Sequence, residues 1–127
     1  MKNHFIFNFS ALLLAFFVVV TGCAKKADTS KPVEQIKAEV QSMPLKDLEA
    51  TARVYAKEIT AKKSEVEKVA LKLKTLSPAE LFGDKANGIK DQISKLGSEV
   101  SALTERYEVY AKKYQELGGN VAEIKIS

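Results

Sequence analysis

Two stretches of the chain place apolar residues at alternating steps of three and four. The longer is Leu45, Leu48, Ala52, Tyr55, Ile59, Lys62, Val66, Val69, Leu73 and Leu76, with Lys62 the one polar member. The other is Ile89, Ile93, Leu96, Val100, Leu103, Tyr107, Tyr110, Tyr114 and Leu117. Steps of three and four keep a residue on one face of a helix, and a repeat held over several heptads marks a coiled-coil seam. The pattern predicts helices over about 45–76 and 89–117. At 1.5 Å per residue they span roughly 48 and 44 Å, a match that favours an antiparallel hairpin. Pairing them about a turn near residue 82 or 83 sets Tyr55 opposite Tyr110 and Lys62 near Leu103.

Punctuation supports this layout. Val33, Ile36, Val40 and Met43 form a shorter stripe, and Pro44 ends it, so a first helix is expected over about 33–43. Ser77-Pro78-Ala79-Glu80 carries a capping-box pattern, and Gly83-Asp84 and Asn87-Gly88 follow, which predicts a turn over 77–88. Leu81 and Phe82 would then plug the end of the hairpin. Gly118-Gly119-Asn120 stops the last helix. The apolar tail within 118–127 is expected to lie on the hairpin, as a helical turn or as an extended strip. The fold class is all-α: a long antiparallel, coiled-coil-like hairpin with a short extra N-terminal helix. A two-helix unit buries little surface. Residues 33–43 and the tail are therefore expected to complete a third layer, unless self-association into a bundle covers the seam instead.

Composition changes along the chain. Residues 1–22 hold 15 hydrophobic residues and a single charged one, Lys2, along with the chain's only His and five of its six Phe. The remaining 105 residues hold 19 Lys or Arg and all 16 Asp or Glu. The leader has a short positive start, an apolar stretch over 5–20 and small residues at Thr21-Gly22, the layout of a secretory signal peptide. An uncleaved signal anchor is the alternative, since 5–22 approaches spanning length. Residues 24–32 are small and polar and predict a flexible tether. Lys25, Lys26 and Lys31 sit where anionic headgroups would attract them, although a merely soluble spacer is the simpler reading.

Val20-Thr21-Gly22-Cys23 resembles the lipobox of bacterial lipoproteins: an aliphatic residue, two small residues and Cys. The resemblance covers about residues 1–23. It implies signal-peptide cleavage between Gly22 and Cys23, diacylglycerol on the Cys23 sulfur, and a fatty acyl group such as palmitate on the new amino terminus. More than one acyl chain would give a stable anchor, at about 0.8 kcal/mol per buried CH₂. Ala24, in place of the Asp that retains such proteins at the inner membrane of enteric bacteria, implies an outer-membrane position facing the periplasm if the cell is Gram-negative.

The chemistry on offer is narrow. With its one His in the leader, the mature chain lacks the donors of a Cys/His metal site, and its acidic residues are interspersed with lysines off the stripes. No metal and no cofactor beyond the covalent lipid is expected. Lys62 is the one candidate for a desolvated nucleophile, but a seam lysine more often snorkels or sets register. The mixed charges form no basic face, which argues against nucleic acid. Tyr55, Tyr107, Tyr110 and Tyr114 make a candidate interaction strip, though rings at seam positions more often belong to the core.

The leading expectation is a non-enzymatic, lipid-anchored envelope protein acting as spacer, scaffold or interaction module. Its partners would be the membrane, another protein or a second copy, and non-covalently peptidoglycan. The layout loosely resembles the murein lipoprotein family, with its lipidated Cys, short tether and heptad helix. It departs in folding back and in ending Lys125-Ile126-Ser127 without a terminal Lys for peptidoglycan linkage. The alternative is a periplasmic binding or chaperone-like module that holds a hydrophobic or peptide ligand near the tyrosines.

Overall fold

The structure, a computed structural model, describes residues 26–127. The expected signal peptide, the lipobox-like segment and Cys23 lie outside the described residues. The described residues form three helices: α1 (Val33–Glu39), α2 (Leu45–Lys74) and α3 (Asp84–Glu116). Single 3₁₀ turns at Glu80–Phe82 and Val121–Ile124 complete the order, and the described residues contain no strand. The long helices α2 and α3 pack against each other as the all-α hairpin that their stripes predict. Among the described residues, no helix is long and apolar enough to cross a membrane.

Proline starts the first two helices. The Pro32 carbonyl accepts from the N–H groups of Gln35 and Ile36, and the Pro44 carbonyl from those of Asp47 and Leu48. Each proline supplies the fixed φ of a helix entry and needs no N–H partner there. α1 stops at Glu39, short of the expected residue 43. Val40 still bonds four residues back to Ile36, but Gln41 to Met43 tighten into turns bonded three residues back, because the residue before Pro44 is driven out of helical geometry.

The turn is shorter than expected, and two predictions made for it are corrected. α3 begins at Asp84, so Asn87-Gly88 lies inside the helix. The Gly83 carbonyl accepts from Ala86 and Asn87 N–H, and Asp84 puts a carboxylate in the positive first turn. This extra turn brings Ala86 to full burial. Phe82 is correspondingly displaced outward: it does not plug the hairpin but stands 91% exposed, with Leu81 also exposed. Half of the capping pattern forms: Glu80 reaches back to Ser77, but the N-cap of the short turn is Ala79 and no side chain caps it. The Ser77 N–H and hydroxyl both donate to Glu80 Oε2, each at 2.9 Å.

At the other end α3 closes in a Schellman motif. The N–H of Gly119 donates to the Tyr114 carbonyl (2.8 Å) and that of Gly118 to the Gln115 carbonyl (3.0 Å). Gly118 has φ +88°, which favours glycine. Gly119 passes against the Tyr114 ring so closely that a Cβ there would overlap it.

The core gathers at one end. Leu48, Ala52, Tyr55 and Ile59 of α2 meet Leu103, Tyr110 and Tyr114 of α3, and Ile36, Val40 and Ile124 cap them from outside the hairpin. The expected third layer is therefore present, built by α1 and the C-terminal turn. It covers the open-ended half of the hairpin and stops near Ile59 and Leu103.

Candidate functional site

The aromatic strip is where the two ends of the chain are fastened. Tyr55 and Tyr110 face each other as the register predicts, their rings stacked with centroids 5.4 Å apart and planes 29° from parallel. Tyr55, Tyr110 and Tyr114 are buried and Tyr107 is half-buried. Buried tyrosine hydroxyls need partners, and here backbone from distant segments provides most of them. The Tyr55 hydroxyl donates to the Asp28 carbonyl (2.8 Å) and accepts from the Asp28 N–H (3.1 Å). The Tyr107 hydroxyl donates to the Ile124 carbonyl at 2.9 Å, and that of Tyr114 to Glu123 Oε2 at 3.2 Å. Burial pushes the Tyr110 hydroxyl up to about 12, with the Tyr55 hydroxyl, Glu39 and Asp28 adding to the shift. It also raises Tyr107 and Tyr114.

Residues 26–32 do not stand off as a flexible tether but lie along the hairpin as a strap. Arg106 clamps them. Its Nη2 donates to the carbonyls of Thr29 (2.7 Å) and Lys31 (3.0 Å), and its Nε also reaches Lys31 (3.1 Å). Nη1 returns to Ala102 of its own helix (2.8 Å). The guanidinium is buried and makes no ion pair among the described residues, so carbonyl dipoles offset its charge. Asp28 folds the strap locally by accepting from Ser30 N–H (2.7 Å) and Ser30 Oγ (2.6 Å), bonds that hold its carboxyl below the ordinary value. Lys31 bridges to Glu39 at 2.8 Å. Sequence reasoning missed Arg106. The available signal was composition: the chain has eighteen Lys and only two Arg, and a planar fork is what grips two carbonyls at once.

Lys62 marks the edge of the core. Its ammonium lies 3.0 Å from Glu99 on α3 and 3.5 Å from Glu65 on its own helix. Glu58, four residues before Lys62 on α2, is not its partner, whereas Glu49 and Arg53 at the same spacing do pair (2.7 Å). The bond to Glu99 holds the Lys62 amine above its ordinary value and so favours the charged form. That is opposite to the neutral amine a lysine nucleophile requires.

Of the predicted site residues, then, the four tyrosines come together, Lys62 sits apart, and Gly22 and Cys23 fall outside the described residues. Beside the strip, a shallow groove of about 470 Å³ runs between α2 and the C-terminal turn, lined by Arg53, Ala56, Lys57, Thr60, Ile124 and Lys125 among others. Arg53 is held there between Glu49 and, at 3.8 Å, Glu123. Among the described residues, no three His, Cys, Asp or Glu side chains converge where they could hold a metal ion. No protein family, no curated protein and no solved structure matches this chain.

Proposed function

We propose that the chain is a lipid-anchored, non-enzymatic protein of the bacterial cell envelope, whose helical hairpin serves as a spacer, scaffold or interaction module. The observation that carries this reading is Val20-Thr21-Gly22-Cys23 at the end of an apolar leader, directly ahead of a helical unit. The charged state of Lys62 supports the non-enzymatic part. A ligand bound at the tyrosines would first have to displace the strap and the tail.

The docked strap sharpens what such an anchor would do. Asp28 is bonded to Tyr55, and the five residues from Cys23 to Asp28 reach at most about 17 Å. Tyr55 lies ten residues into α2, about 15 Å from its start. A lipid on Cys23 would therefore hold the hairpin by its flank, close to the bilayer. Any spacing would come from the length of the helices beyond that point.

Fatty-acid labelling of the protein in cells tests the anchor. The wild type should take up label and Cys23→Ser should not. Equal labelling of both would overturn the reading.

A further inference from the structure

The hairpin turns at the end farthest from its core, and that end carries Phe82, the most exposed large apolar side chain of the described residues. It is also the only Phe beyond the leader. Leu81 beside it and Leu71, near the end of α2, are exposed as well. Scattered apolar residues on a surface need no explanation. The charge around these gives them one. Residues 68–90 hold five lysines against Glu80 and Asp84, with Glu67 and Asp91 flanking them. Among the described residues, Lys85 alone of those five has a carboxylate partner, Glu80 at 3.1 Å. The turn is also pre-formed. Ser77 and Gly83 both bond to Glu80, through its carboxylate and its carbonyl respectively, so Phe82 is presented without much further ordering.

We infer that the tip is a docking element for an anionic phospholipid surface. Phe82 enters the boundary between headgroups and acyl chains, while Lys72, Lys74 and Lys85 extend to the phosphates above it. One ring on a convex turn is far from the roughly 800 Å² per partner of a specific protein interface. It suits a bilayer, where a short apolar insertion and several lysines act together. This inference is independent of lipid on Cys23.

The chain has no Trp, so Phe82→Trp in the full chain gives a single fluorescent reporter at an exposed site. The protein is reconstituted into vesicles of phosphatidylcholine, with or without phosphatidylglycerol. With phosphatidylglycerol the indole emission should shift to the blue and be quenched by brominated acyl chains. With phosphatidylcholine alone it should do neither. Adding Lys72→Gln, Lys74→Gln and Lys85→Gln should weaken the insertion equilibrium about a hundredfold, from roughly 1 kcal/mol per lysine near an anionic surface. Circular dichroism checks that each variant keeps its helices. An indole that stays water-exposed in anionic vesicles overturns the inference, as does a shift of equal size in both lipids. A shift that appears without vesicles as protein concentration rises would assign the tip to self-association instead. The same shift is expected in a Cys23→Ser background, so failure of the anchor and failure of the tip are read separately.

Discussion

The two halves of the hairpin share one sequence repeat and differ in what covers it. In the half that holds Leu48–Ile59 and Leu103–Tyr114, the seam is sealed by α1, the strap and the C-terminal turn. In the half beyond Lys62 and Glu99, Val69, Ala86 and Leu96 are buried, but Val66, Leu73, Leu76, Ile89 and Ile93 are only half-buried, and α2 and α3 have each other and the short turn at Glu80–Phe82. A 3-4 repeat is enough to bring two helices together and to bury a few seam residues, but a contiguous core forms only where the third layer covers them. The lysine at the seam falls where that layer ends, at a position open enough for its side chain to remain 24% exposed. The covered half is expected to supply most of the stability, and the bare half to present its surface and its tip.

The largest difference should come from truncating one seam residue in each half. Ile59→Ala, at a fully buried site, is expected to cost about 2–5 kcal/mol in urea unfolding. Leu73→Ala, at a half-buried one, should cost about 1 kcal/mol. Similar losses at the two sites would remove the distinction between the halves.

The next effect concerns the strap. Arg106→Ala deletes the bonds to Thr29 and Lys31 and should cost about 2–3 kcal/mol. It should also speed trypsin cleavage after Lys26, since Pro32 blocks the bond after Lys31, and amide exchange at Asp28 and Ser30. Unchanged cleavage would mean that Arg106 does not hold the strap.

Much of this architecture is legible in the sequence, because local rules and tertiary packing agree there. The two stripes, the Pro44 break, the Glu80 capping residue and the Gly118-Gly119 stop each act within a turn or two, and the register that places Tyr55 on Tyr110 follows from helix length alone. Where the sequence misleads, longer-range packing has overridden a local signal. Asn87-Gly88 reads as a turn, yet burial of Ala86 extends α3 through it and pushes Phe82 out. Residues 26–32 read as a tether because they are small and polar. Their docking depends on backbone carbonyls, which carry no side-chain signature, gripped by an arginine 75 residues or more away. The hydroxyls of Tyr55 and Tyr107 find backbone partners in the same way.

A smaller change would extend the covered half. Lys62→Leu should raise stability by about 0.5–1 kcal/mol, since Glu99 remains solvated enough to lose its partner cheaply and the seam gains an apolar residue. A loss of stability instead would show that the Lys62–Glu99 pair holds the helices together at that level.

Acid and alkali should act on opposite ends. Hydrogen bonds from Ser77 and Lys85 hold the Glu80 carboxyl down from 4.5 to about 2. A depressed carboxyl favours the fold above its unfolded value, so the tip is held at pH 5 and above and loosens as pH falls towards 2. The Tyr110 hydroxyl is raised from 10.0 to about 12. Its contribution is complete below pH 10 and is lost as pH rises through about 12. Amide exchange at residues 77–83 in acid and tyrosinate absorbance in alkali follow the two transitions. The acid effect is the smallest expected here, because Glu80 lies in a solvated turn.

Native-state hydrogen exchange along both long helices tests the central claim most directly. Amides of residues 48–59 and 103–114 should open only with global unfolding, while those of 66–74 and 86–96 should open at distinctly lower free energy. Uniform protection from end to end of α2 and α3 would contradict the account.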